Sequence, residues 1–229
     1  MLPWEAITDE HRMISKKMGH ENPEEFLMEE LSDFLSGYRK CLAHRQEYYI
    51  EVWIEKAALY HIVRPVVNKY CRRLVCCRGY NSITFQAGFY DRASEALQRG
   101  QTPVVLYFGD WDPSGENMLI AAAQTLREEL GLVKTQFYRC GINPEHFESL
   151  QANPVSVKAS DARSKKFVEK YGPTAYELDA LHPEDLKKIV EQRIRFFTDE
   201  EALQQDLEDE MVERDKLAEL RDRIKHMAL

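Results

Sequence analysis

The sequence predicts an α/β protein built on an open, mostly parallel sheet with helices on both faces. Segments rich in β-branched and aromatic residues alternate with amphipathic segments through the middle of the chain. Three of the predicted strands end in charged residues, where open parallel sheets place their functional sites. The 229 residues are 44% hydrophobic, which is enough for one large domain with a core.

The first half of the chain predicts three helices and two strands. Residues 22–25 (NPEE) combine a helix cap, a proline at the first helical position and two acids in the first turn. Apolar residues then recur at helical spacing up to about Arg45. The other predicted elements are a strand at 48–54, a helix at 57–70 that must tolerate Pro65, a strand at 73–79, and a helix that starts at Ser82 or Thr84 and ends at Arg99.

The second half continues the same alternation. Its predicted elements are a strand at 102–110, an alanine- and leucine-rich helix at 113–130, a strand at 134–141, a short capped helix at 143–150, a polar, lysine-rich loop at 155–172, and a short strand or turn at 175–181. From residue 182 onward helical patterns dominate, and opposite charges recur three and four residues apart. We therefore predict an N-terminal helical segment (1–46), an α/β domain (47–181) and a C-terminal helical extension (182–229). We also expect the C-terminal helices to support association into a homodimer.

Composition excludes several classes of protein. A formal net charge of −8 argues against a generally basic nucleic-acid binder, although residues 156–170 form a locally basic stretch. The five cysteines are odd in number and form no CxxC pair, which argues against a disulfide framework or a structural zinc site and predicts a cytoplasmic protein. No apolar run is long enough to span a membrane, and no signal peptide is recognisable.

The residues at the strand ends predict a metal site. The first strand ends in Glu55-Lys56, the second in Arg78-Gly79 and the third in Asp110-Trp111-Asp112. If these strands are neighbours, three carboxylates converge, and their mutual repulsion favours protonation or a bound cation. Oxygen-only ligands suit Mg²⁺ or Mn²⁺ rather than zinc. Neither the dinucleotide-binding GxGxxG nor the phosphate-binding GxxxxGK[ST] pattern is present.

Each of these residues also has an ordinary structural explanation. Asp112 and Pro113 fit the cap and first position of a helix, which is compatible with metal binding. Glu55 could pair with Lys56 or Arg78 as a surface ion pair. Lysines and arginines in the 155–172 segment could belong to a solvated surface.

Taken together, the strand-end residues resemble the signature of the Toprim family, which topoisomerases, bacterial primases, recombination proteins and overcoming-lysogenization-defect nucleases share. That signature has a glutamate after the first strand, a glycine after the second and an Asp-x-Asp after the third. Residues 109–115 (GDWDPSG) are similar to the Asp-x-Asp-Pro-x-Gly of the type IIB topoisomerase A subunit and the meiotic double-strand-break enzyme. Residues 176–181 (YELDAL) resemble a segment late in the same domain. The resemblance covers about residues 48–181.

The resemblance implies a Rossmann-like Toprim fold that acts on DNA phosphodiesters with Mg²⁺ or Mn²⁺. It assigns metal coordination and catalysis to Glu55, Asp110 and Asp112, and Glu55 could also serve as a general acid or base. The candidate contacts to phosphate or DNA are Lys56, Arg78, Gly79, Gly115, Arg163, Lys165 and Lys166.

The sequence departs from the topoisomerase branch in one respect. That branch breaks DNA with a tyrosine on a winged-helix domain that precedes Toprim, and residues 1–46 are too short for a full winged helix. They could be its remnant, while Tyr38, Tyr48 and Tyr49 fit core or strand positions. Four hypotheses follow: a nuclease or nicking enzyme, one half of a topoisomerase-like assembly with a winged-helix or ATPase partner, a non-catalytic nucleic-acid or protein-interaction module, and, more distantly, a small-molecule phosphotransferase.

Overall fold

The computed structural model describes residues 19–77, 83–147, 154–157 and 164–228. The chain divides into two compact units. The larger unit is Cys41–Leu207, and the smaller one combines the chain up to Lys40 with Glu208–Leu229. Among the described helices, none has both the length and the apolarity needed to cross a membrane.

The larger unit is built on a four-stranded, all-parallel sheet. Its strands are β1 (Tyr48–Ile54), β2 (Arg73–Cys76), β3 (Thr102–Phe108) and β4 (Gln136–Arg139), in the order β2-β1-β3-β4. The two longest strands, β1 and β3, are therefore central neighbours, and Ile54 pairs with Phe108 at their carboxyl ends. The predicted parallel α/β sheet is confirmed.

The described part of the chain has seven α-helices. They are α1 (Pro23–Asp33), α2 (Ala57–Lys69), α3 (Ile83–Gln98), α4 (Pro113–Gln124), α5 (Ser164–Tyr171), α6 (Pro183–Phe196) and α7 (Glu200–Ala228). Of these helices, α1 belongs to the smaller unit, α2 to α6 belong to the larger unit, and α7 contributes to both. A π-helical stretch at Thr125–Glu129 continues α4, and 3-10 turns lie at Pro144–His146 and Leu178–Ala180. Two short strands, β5 (Val155–Ser156) and β6 (Thr174–Ala175), form an antiparallel pair.

The core has two layers because successive side chains of a strand point to opposite faces. On one face the even-numbered apolar residues of β1 and β3 pack against α2 and α6. On the other face Trp53, Val105 and Tyr107 pack against α3 and α4. Leu186 and Ile194 of α6 are fully buried, so this helix belongs to the larger unit.

Two segments differ most from the sequence prediction. The helix predicted to reach Arg45 ends at Asp33, and Leu35 adopts φ 63°, a left-handed conformation that interrupts a helix. The segment 155–172, predicted to be a loop, contains β5 and α5. Only one side of α5 is apolar, with Phe167 buried and both lysines that precede it exposed, so its pattern resembles a solvated loop.

The smaller unit is held by polar contacts between its two segments. The Lys40 ammonium lies 2.6 Å from a Glu213 carboxylate oxygen, and the Lys40 backbone amide donates to Glu210 at 3.1 Å. Tyr38 donates its hydroxyl to Glu213 as well. Tyr38 thus has a structural role in this unit.

Candidate functional site

Glu55 and Asp110 lie next to each other at the carboxyl edge of the sheet. Glu55 directly follows β1 and Asp110 lies two residues after β3, and these strands are parallel neighbours in register. The Asp110 backbone amide donates to Glu55 Oε2 at 3.3 Å, and the Tyr107 hydroxyl donates to the same oxygen at 2.8 Å. The fold therefore brings the first and third strand ends together, as the sequence predicts.

Two glycines allow the backbone to pack closely around these carboxylates. A Cβ at Gly109 would overlap the Tyr107 hydroxyl oxygen and lie 2.6 Å from Glu55 Oε2, so glycine leaves room for this hydrogen-bonded pair. A Cβ at Gly115 would lie 2.5 Å from the Asp110 carbonyl oxygen, so the first turn of α4 can approach the end of β3. Gly115 is thus required for helix packing, and its contact with a phosphate stays a prediction.

Asp112 caps α4. Its Oδ1 accepts a hydrogen bond from the Gly115 backbone amide at 2.6 Å, and Pro113 occupies the first helical position. The ordinary explanation of Asp112 as an N-cap is therefore confirmed. This contact uses one carboxylate oxygen, and the other accepts no hydrogen bond from the described residues.

The chain segment that resembles the late Toprim motif lies beside Asp110. Trp111 and Tyr176 exchange two backbone hydrogen bonds, of 2.8 and 3.0 Å. This bridge positions the Leu178 backbone amide, which donates to Asp110 Oδ1 at 2.6 Å. A residue far along the chain therefore orients the Asp110 carboxylate.

Lys56 lies among three carboxylates. Its ammonium is 3.4 Å from Asp110 Oδ1, 3.2 Å from Glu177 Oε2 and 2.9 Å from Asp179 Oδ1. Although burial opposes the charged form, these three carboxylates hold the pKa of Lys56 above its usual value. The structure therefore pairs Lys56 within the protein, and a direct phosphate contact would require it to leave these partners.

The pKa of Asp110 is shifted by its surroundings at this edge. Burial, together with the charges of Glu55 and Asp112, raises the pKa of Asp110 from 3.8 to about 6. The Leu178 amide and Lys56 act in the opposite direction but do not cancel this effect. An acid destabilised in its ionised form gains most from an added cation.

Sequence reasoning missed Arg139, at the end of β4. Its Nη2 donates to the Asp110 carbonyl oxygen, and its guanidinium lies 5.0 Å from the centre of the Trp111 ring. Its Nε and Nη1 are buried, and the described residues supply no partner for them. The predicted fourth strand extends to Gly141, so the sequence places Arg139 inside the strand, whereas in the structure it is the last residue of β4.

Basic residues of α5 lie close to the start of α4. A cavity of about 360 Å³ is bordered by Pro113, Glu116, Lys166 and Lys170, and the Lys170 ammonium lies 3.1 Å from Glu116. Lys165 and Lys166 are exposed, as a DNA contact requires. Three further predicted contacts, Arg78, Gly79 and Arg163, lie outside the described residues.

A divalent cation at this edge would depend on the oxygen atoms of its carboxylates. Within residues 19–77, 83–147, 154–157 and 164–228, no three His, Cys, Asp or Glu side chains form a ready-made ion cage. Asp112 is engaged in its cap and Asp110 contacts Lys56, which accounts for this arrangement. The chemistry nevertheless fits, since Glu55, Asp110 and Asp112 offer only oxygen ligands and the pKa of Asp110 is raised.

No protein-family model and no curated protein matches this chain. The function of the edge is accordingly inferred from the geometry of its carboxylates and the likeness of its residues to the Toprim signature.

Proposed function

We propose that the larger unit is a divalent-metal-dependent Toprim-type domain that hydrolyses DNA phosphodiesters. The observation that carries this proposal is the placement of Glu55 against the Asp110 backbone at adjacent strand ends, with Asp112 at the start of α4. In parallel α/β sheets this edge is where ligands bind. The excess of carboxylates over cationic side chains there suits a ligand that arrives with positive charge.

Glu55, Asp110 and Asp112 would hold Mg²⁺ or Mn²⁺. When bound, such a cation supplies charge neutralisation at the scissile phosphate and lowers the pKa of an attacking water. Tyr107 positions Glu55 through its 2.8 Å hydrogen bond, and the Leu178 amide positions Asp110. These two contacts fix the carboxylates before DNA arrives.

The exposed lysines of α5 support DNA as the substrate. Lys165 and Lys166 are exposed positive charges on α5, and Lys166 borders the cavity beside the start of α4. Contacts of this kind recognise the phosphate backbone and are independent of base sequence. DNA binding should therefore be salt-dependent and show little sequence preference.

Hydrolysis is favoured over a covalent protein–DNA intermediate by the state of the tyrosines. Tyr107, beside Glu55, is buried, and burial together with the Glu55 charge raises its pKa, which makes it a poor nucleophile. Tyr48 and Tyr49 begin β1 at the opposite edge of the sheet. A partner that carries a tyrosine, such as a winged-helix protein, would change this outcome.

The test is cleavage of supercoiled plasmid by the purified chain with Mg²⁺ or Mn²⁺. We expect nicked product without DNA-linked protein, loss of activity with EDTA, and a loss of about 100-fold or more in Asp110→Asn. Asp91→Asn, an exposed position on α3, is the matched control and should retain activity. A tyrosine-linked adduct would overturn hydrolysis, and absence of cleavage with either metal would overturn the enzymatic proposal.

A second function is a non-catalytic nucleic-acid or protein-interaction module. It is favoured by Lys56, whose ammonium lies 3.4 Å from Asp110 and supplies positive charge where a cation would otherwise be needed. This alternative predicts DNA binding without cleavage and no thermal stabilisation by Mg²⁺. The metal-dependent proposal predicts both cleavage and stabilisation.

A further inference from the structure

A second cavity lies at the opposite, amino edge of the sheet and is rich in arginine. It has a volume of about 520 Å³ and is bordered by the starts of β1, β2 and β3. Its charged or titratable lining includes Arg72, Arg73, Arg99 and His44, together with the thiol groups of Cys41 and Cys71. Of the described residues, no aspartate or glutamate lines it.

Arg72 is the unusual residue of this cavity. It is only 6% exposed, although arginine is rarely buried without a partner. Its Nη2 donates to Thr198 Oγ1 at 3.3 Å, while Nε and Nη1 are buried and find no acceptor among the described residues. The Nε and Nη1 groups lie on different edges of the planar guanidinium, so each can donate separately to an oxygen of an anion.

The other two arginines of the cavity form only long ion pairs with carboxylates. Arg73 Nε lies 3.8 Å from Glu51 Oε1, but that oxygen already accepts a 2.6 Å hydrogen bond from Arg92. Arg99 lies 3.8 Å from Glu95, an exposed surface pair that contributes little. The cavity therefore concentrates positive charge that nearby carboxylates compensate incompletely.

We propose that this cavity binds the phosphate group of a small ligand about the size of a mononucleotide, with Arg72 as its buried anchor. Its volume falls within the range of about 300–1,000 Å³ that is typical of small-molecule sites. Phosphate has several acceptor oxygens and negative charge, so it suits the unpaired donors and the accumulated positive charge better than a neutral ligand does. The site is separate from the carboxylate edge, since the seven residues of β1 extend about 20 Å between the two edges.

The cost of burying Arg72 is consistent with this assignment. Burial lowers the pKa of the Arg72 guanidinium, and the thiols of Cys71 and Cys41 are the groups that oppose the shift. A buried cation without a carboxylate partner destabilises the ligand-free protein. A bound phosphate would remove this penalty.

The experiment is thermal unfolding and calorimetric titration of the full chain with inorganic phosphate and, separately, with AMP. We expect both to raise the Tm of the wild-type chain in EDTA, and we expect Arg72→Met to weaken the measured Kd at least about ten-fold. Without ligand, we expect Arg72→Met to be at least as stable as wild type, and this measurement also establishes that the variant folds. Arg64→Gln, an exposed position on α2 outside the cavity, is the matched control and should bind normally.

Other outcomes would contradict the phosphate site or assign it to another ligand. No change in Tm with millimolar phosphate or AMP would overturn the proposal, as would equal binding by Arg72→Met. Should Arg72→Met prove unstable, Arg99→Gln provides a second variant in the cavity lining, and unchanged binding by it would count against the site. Binding of a DNA duplex that depends on Arg72, without binding of phosphate or AMP, would assign the cavity to nucleic acid instead. Asp110→Asn should retain phosphate binding, which separates this test from the proposed nuclease.

Discussion

Two carboxylates of the central strand pair differ in how completely they are paired: Glu51 lies within β1, and Asp110 lies just after β3. Glu51 is fully buried in β1, and Arg92 donates to both of its oxygens, with further hydrogen bonds from Tyr49 and Trp53. Asp110 receives one backbone hydrogen bond and a longer ion pair, and its pKa is raised to about 6. Complete pairing identifies a structural carboxylate, whereas incomplete pairing identifies a candidate ligand site.

The largest expected effect comes from removing the charge of the fully paired acid. Glu51→Gln leaves Arg92 without its carboxylate, which should lower the free energy of unfolding by about 3 kcal/mol. Urea denaturation monitored by circular dichroism measures this loss. Glu184→Gln removes an exposed partner of Lys187 and should change the free energy of unfolding far less. If Glu51→Gln lowers the free energy of unfolding by less than about 1 kcal/mol, Glu51 is not the structural carboxylate that this comparison requires.

A smaller effect is expected at Lys56, which partly compensates the carboxyl edge. Lys56→Met should lower the free energy of unfolding by about 1–2 kcal/mol in EDTA, because Asp110, Glu177 and Asp179 lose a shared cation. Mg²⁺ should then raise the Tm of the variant more than that of wild type. Lys188→Met removes an exposed pair with Asp185 and provides the control. Equal Mg²⁺ responses in Lys56→Met and wild type would contradict metal binding beside Lys56.

The smallest effect is the pH dependence of Asp110. Because its pKa is raised in the folded protein, Asp110 favours folding when protonated, below about pH 4, and this contribution is lost as the pH rises through 6. Asp110→Asn stays neutral, so its Tm relative to wild type should increase by about 1–3 °C from pH 4 to pH 7 in EDTA, after allowance for solvent screening. A Tm difference independent of pH would contradict the raised pKa.

The sequence predicted those parts of the site that depend on local pattern. The bounds of β1 and the adjacency of Glu55 and Asp110 follow from strand composition and the rule that parallel strands share a carboxyl edge. The cap formed by Asp112 follows from its position before Pro113.

The unpredicted contacts connect residues that are distant in the chain. Pairing of Lys56 with Glu177 and Asp179, and donation from the Leu178 amide to Asp110, depend on how the segment after α5 returns to the sheet. A lysine beside a strand end gives no indication of which acid it will meet. The burial of Arg72 could not be predicted from the sequence either, because it depends on Thr198 and other residues that the fold brings together.

The pairing of β1 with β3 also determines when the carboxylate edge can assemble during folding. These neighbours are separated in the chain by α2, β2 and α3, so loop-closure entropy opposes their meeting until the sheet forms. A slip of β1 by one residue would turn Glu51 to the other face, away from Arg92, and would shift Glu55 relative to Asp110. The buried Glu51–Arg92 ion pair therefore stabilises the strand register that places Glu55 beside Asp110.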